Sequence, residues 1–196
     1  MIRESKPSHM RIDAAMPRTS HTATVLLLLY AVIYALASTF HGWELRHALA
    51  SAALAPALVA LTTIDIATFR LPDPLTLLLL GLGVVVTASN GSEAVLWNAI
   101  AVAIGFFGLV AVAALYRRVR GRAGLGLGDA KLYGASGMWV GLEGLPSVLL
   151  LACLSALVAI AIALLNERQI TTTTPFPFGP FLCLGLWATW NFGPLF

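Results

Sequence analysis

The chain has 196 residues, of which 59% are hydrophobic and only 11% charged, with a mean hydropathy of +0.86. A soluble domain carries roughly a quarter charged residues, so the composition excludes one and leaves a polytopic, all-α transmembrane helix bundle. The net charge of +3 gives no support to nucleic acid as a partner, because the charges cluster in short loops. Cys153 and Cys183 both fall inside apolar runs, where they behave as small hydrophobes rather than as a disulfide.

Residues 1–21 are polar, carry Arg3, Lys6, Arg11 and Arg18, and form an N-terminal tail on the cytoplasmic side. Residues 22–196 form one membrane-embedded domain. Its apolar runs cover about 22–40, 48–66, 74–90, 94–116, 128–142, 145–165 and 178–195, against the roughly 20 residues that a spanning helix needs. The fifth run is short, which suits a segment buried among its neighbours or partly re-entrant. Seven spans is the expected count, with six the main alternative. Ala35-Leu-Ala37 after an apolar core has the look of a cleavable signal peptide, but the long polar lead favours a retained first helix.

The loops set the orientation. With the N-terminus inside, Arg3, Lys6, Arg11, Arg18, Arg70, Arg117, Arg118, Arg120, Arg122, Lys131 and Arg168 all fall at one face, and Arg46 alone at the other. Basic residues concentrate on the cytoplasmic side, which makes the eleven-residue face cytoplasmic.

Two carboxylates then stand out. Asp65 closes the second apolar run and Asp129 opens the fifth, after the glycine-rich Gly124-Leu-Gly-Leu-Gly128. With this topology both lie at the cytoplasmic end of their helices. Acids in a membrane segment are expensive and point to function. Two carboxylates in one low-dielectric site do not both ionise readily. The charged one can take a proton from water while the protonated one polarises a scissile carbonyl, which is peptide hydrolysis without a covalent intermediate. Gly126 and Gly128 allow close backbone approach at Asp129.

Structural roles compete with these. Asp129 at a helix start suits a cap, and Asp65 could pair with Arg70. Asp73, between Pro72 and Pro74, fits an N-cap with proline at the first helical position. Lys131 suits a snorkelling lysine or a contact with substrate or with Asp65. Ala130, Gly134, Gly137 and Gly141 recur on one helical face and suit close packing by a neighbouring helix. Pro175, Pro177 and Pro180, with Gly179 among them, suit entry into the last helix or support beside the active site. No histidine forms a catalytic or metal site, and two acids offer too few oxygens for calcium or magnesium. Neither metal nor cofactor is expected.

The stretches Asp65-Ile-Ala-Thr-Phe-Arg-Leu-Pro-Asp73 and Gly126-Leu-Gly-Asp-Ala-Lys-Leu132, with the later Pro177-Phe-Gly-Pro-Phe-Leu182, resemble the type IV prepilin peptidases, membrane aspartic proteases of the GxGD class. The resemblance covers roughly residues 50–196. It implies that Asp65 and Asp129 are the catalytic pair, that Gly126, Gly128 and Lys131 support their loop, and that the substrate is a type IV pilin-like precursor. Such an enzyme cuts behind a short basic leader at the cytoplasmic face of the bacterial inner membrane, in the company of pilus or secretion machinery and membrane lipid. Longer members carry an N-terminal region with a cysteine cluster linked to N-methylation. Its absence here suggests the short, peptidase-only form of Flp-type pili, without methyltransferase activity. A presenilin- or signal-peptide-peptidase-like protease would show a Pro-Ala-Leu element where this chain has Pro177-Phe-Gly-Pro180. A proton-coupled carrier would need acids along one continuous path.

Overall fold

The computed structural model describes residues 19–41, 44–121, 124–165 and 176–195. Most of the expected tail, together with Arg122, Arg168 and Pro175, lies outside the described residues. Six helices follow in order: α1 (Thr19–His41), α2 (Leu45–Thr68), α3 (Asp73–Ala88), α4 (Ser92–Arg120), α5 (Leu127–Leu165) and α6 (Gly179–Phe192). Among the described residues there is no strand. By length and composition α1, α2, α4 and α5 can each cross a membrane, and α3 is a shorter apolar helix. The fold is therefore the expected all-α membrane bundle.

A straight α5 of 39 residues would run roughly 58 Å at 1.5 Å per residue, about twice a bilayer core of roughly 30 Å. It is not straight. Gly141 has φ 66° and ψ −174°, a combination essentially confined to glycine. Tyr133 Oη donates to the Leu145 carbonyl at 2.9 Å, across twelve residues that an unbroken helix would hold about 18 Å apart. The chain thus turns back on itself, and α5 is an antiparallel pair, α5a (127–140) and α5b (142–165). The described residues therefore contain seven helical segments, matching the seven apolar runs. Gly141 departs from the expected small-residue face, because its part is the turn rather than the packing.

The reversal orphans carbonyls in the last turn of α5a. The Met138 carbonyl accepts instead from Thr87 Oγ1 at 2.8 Å and Asn98 Nδ2 at 2.9 Å. The end of α3 and the start of α4 therefore close the far end of α5a. Along α5a itself, packing inside a bilayer rewards close approach over bulk. A Cβ on Gly137 would come within 2.8 Å of the Ala101 backbone, and one on Gly134 within 3.0 Å of Phe106 Cβ. Those glycines let α4 lie directly on α5a, which becomes the buried centre of the bundle: Ala130, Leu132, Tyr133, Ala135, Met138 and Trp139 are all buried.

The remaining helices enclose this centre. Gly185 of α6 packs directly against the Val148 carbonyl of α5b. Tyr30 of α1 stacks on Trp187 of α6 with ring centroids 5.1 Å apart, and Trp187 Nε1 donates to the Tyr30 carbonyl at 3.0 Å. Leu54, Leu58 and Leu61 of α2 are fully enclosed, while Leu77, Val85, Phe107, Val112 and Leu157 point outward. Apolar side chains cover both the interior and the rim, as a bundle solvated by lipid requires.

Candidate active site

Asp65 sits in the last turn of α2 and is only 5% exposed. The helix stops just beyond it. Phe69 takes a left-handed conformation (φ 54°) and returns its N–H to the Asp65 carbonyl at 2.8 Å. That is the αL ending usually given to glycine, and here a bulky residue holds it. The segment 70–72 then leads into α3.

One oxygen of Asp65 faces the start of α6. Gly179 N–H donates to Asp65 Oδ2 at 3.1 Å across 114 residues. Gly179 is the first residue of α6, with Pro180 in the same first turn. Its N–H is one of the four that a helix N-terminus leaves unpaired, and the helix dipole there favours a carboxylate. A Cβ on Gly179 would lie 2.7 Å from Asp65 Oδ2 and 3.1 Å from its Cγ, so the position has room for glycine alone. The proline-framed entry to α6 is thus both a helix start and the amide partner of Asp65.

Asp129 is the third residue of α5a. Its Oδ2 accepts from Gly126 N–H at 3.3 Å, the reach from the third helical position back to the N-cap amide that makes one half of a capping box. The capping role is therefore real, and it does not exhaust the carboxylate. Asp65 and Asp129 together line a cleft of ≈ 310 Å³, with Phe69, Arg70, Asp73, Gly126 and Gly128 around them. The cleft brings together the end of α2, the 70–72 segment and the start of α5a. Leu71 ties them: a Cβ on Gly128 would stand 3.0 Å from Leu71 Cβ, and one on Gly179 3.3 Å from Leu71 Cδ2.

Other residues sit differently from their sequence readings. Helix α3 begins one residue earlier than expected, with Pro72 at the N-cap and Asp73 inside the first turn, and Asp73 makes no side-chain cap bond. The Asp73 carboxylate instead takes Lys131 Nζ at 2.7 Å. Among the described residues this is the one ion pair within 4.0 Å, so Asp65 is not bridged to Arg70 and Lys131 does not reach Asp65. Pro177 lies just ahead of α6. His47 is tied to Asn191 at 3.2 Å and stacks on Trp190 at 4.9 Å, away from the cleft. Among the described residues no group of three His, Cys, Asp or Glu side chains could hold a metal ion. Phe69 and Leu71 carried no signal of their own in the sequence beyond lying between Asp65 and Asp73.

A family model, the type IV leader peptidase family, matches residues 52–162, which include Asp65, Asp129 and their loops. Among similar proteins, one from Burkholderia pseudomallei (strain 1026b) named prepilin leader peptidase/N-methyltransferase is 41% identical over 149 residues, 76% of this chain and 48% of its own length. One of the same name from Aeromonas salmonicida (strain A449) is 35% identical over 182 residues, 92% of this chain and 60% of its own. A third, from Pectobacterium carotovorum subsp. carotovorum, is 39% identical over 128 residues, 65% of this chain and 46% of its own. The chain spans about half the length of the curated relatives it matches. No solved structure matches it. With more than half of its residues under that family model, the chain belongs to the type IV leader peptidase family.

Proposed function

We propose that this chain is a membrane endopeptidase that removes the leader from type IV pilin-like precursors, with Asp65 and Asp129 as the water-activating pair. The observation that carries the reading is that two carboxylates distant in the sequence line one cleft at one end of the bundle. The expected orientation makes that end the cytoplasmic face of the inner membrane.

The chemistry follows from the pair. One carboxylate, ionised, takes a proton from a water lying between the two. The other, protonated, donates a hydrogen bond to the scissile carbonyl. The water oxygen adds to the carbonyl carbon, the C–N bond of the tetrahedral intermediate breaks, and a carboxyl group hands its proton to the departing amine. The two acids act as one coupled unit, so base and acid are roles of the pair rather than of either residue. The N–H groups of Gly126 and Gly179 hold one oxygen of each carboxylate and leave the rest of each side chain for the cleft. The relatives' names also carry an N-methyltransferase activity; the proposal here covers hydrolysis alone.

The test is cleavage of a co-expressed prepilin-like precursor in membranes, comparing the unmodified chain with Asp65→Asn and Asp129→Asn at equal membrane levels. Each substitution is expected to abolish processing. Undiminished processing by either variant would remove that carboxylate from the mechanism.

A further inference from the structure

The cleft does not end at Asp73. Beyond it, α3 and α4 stand apart over α5a and leave an apolar groove of ≈ 280 Å³. Leu80 forms one wall, Val102 and Phe106 the other, and Gly134 and Ala135 of α5a lie in the floor. Asp73 and Lys131 stand at the groove's charged end, joined at 2.7 Å. Asp73 lines the cleft as well. One side chain therefore borders both compartments.

We propose that this groove seats one face of the apolar helix of the precursor, immediately beyond the bond to be cut. The inference rests on the peptidase reading above and adds where the substrate lies. A precursor that presents its cleavage site to Asp65 and Asp129 must carry its apolar helix out of the cleft and into the bilayer, and the groove is the apolar surface that begins where the cleft stops. The order of polarity also agrees. The cleft is the charged compartment, lined by Asp65, Arg70, Asp73 and Asp129, and suits a polar leader rather than an apolar helix. After the Asp73–Lys131 pair the groove lining carries no further charge, which suits an apolar helix. Leader and scissile bond thus meet the charged cleft, and the helix, past the Asp73–Lys131 pair, meets the apolar groove.

The experiment uses the full chain in membranes with a co-expressed precursor. A photo-crosslinking residue replaces Leu80 in an Asp129→Asn background that keeps the precursor uncut, with Val158, on the exposed face of α5b, as the control position. Adducts from position 80 to the first turns of the precursor's apolar helix, and none from position 158, are the expected result. In parallel, Val102→Trp fills the groove. Its kcat/KM on the full precursor, divided by that on a peptide holding leader and cleavage site without the helix, is expected to fall about tenfold. That ratio is independent of how much enzyme folds, and crosslinking decides if the variant is inactive on both substrates. Adducts to lipid alone, or an unchanged ratio, while the unmodified chain cuts the precursor, would overturn the groove and leave the peptidase reading standing. An unmodified chain that cuts neither substrate overturns both.

Discussion

Gly179→Ala is the substitution on which local and tertiary reasoning disagree most sharply. In a helix, alanine is favoured over glycine by up to about 1 kcal/mol, so propensity alone makes the change stabilising. The tertiary geometry says otherwise. The new Cβ would stand 2.7 Å from Asp65 Oδ2 and 3.3 Å from Leu71 Cδ2. Comfortable carbon contacts begin at about 3.5 Å, so α6 or the carboxylate must give way by about 0.8 Å. A hydrogen bond of 3.1 Å between Gly179 and Asp65 does not survive such a shift, because past about 3.5 Å it is no longer one. A lost hydrogen bond to a charged group costs about 1.5–3 kcal/mol, and a displacement near 1 Å at reacting groups lowers rates by about a hundredfold. A fall in kcat of about 10–100-fold is therefore expected, with KM changed by less than about threefold, since the cleft's outer walls are untouched. The assay is precursor cleavage in membranes normalised to the amount of protein. If Gly179→Ala cleaves within twofold of the unmodified chain at equal level, the α6 amide does not hold Asp65 in its working position.

Two further outcomes are expected. Lys131→Gln removes a pair whose side chains are 41% and 61% exposed, so its effect on stability is at most about 1 kcal/mol and shrinks with added salt, read as the unfolding midpoint in detergent at two ionic strengths. Gly141→Ala places a Cβ where φ is 66° and is expected to cost about 1–3 kcal/mol. A midpoint equal to that of the unmodified chain would show that the reversal tolerates a side chain.

Much of this architecture is written locally. The apolar runs are long and uninterrupted, so the segments and their order could be read directly, although the turn between the fifth and sixth falls at Gly141, inside the expected fifth run. The alternation of basic and bare loops was enough to bring Asp65 and Asp129 to one end. What lay beyond reach were relations across the fold. Nothing in the spacing couples Gly179 to Asp65, because their 114-residue separation is closed only by the packing of α6 on α2. Asp73 looked like a cap from its flanking prolines, yet its partner is Lys131 on another helix. The left-handed Phe69 escaped notice because that conformation favours glycine, and only the tight exit from α2 requires it.

The anchoring of Met138 has a mechanical side. From Met138 to Asp129 is nine residues of α5a, or roughly 14 Å. Thr87 and Asn98 grip its distal tip, while the reactive group rides near the opposite tip. A rod held in this way converts rotation at its pivot into travel at its other end, and about 4° of tilt moves the carboxylate by about 1 Å over that length. The hydroxyl and the amide that never approach the cleft therefore bear on the spacing of the two acids.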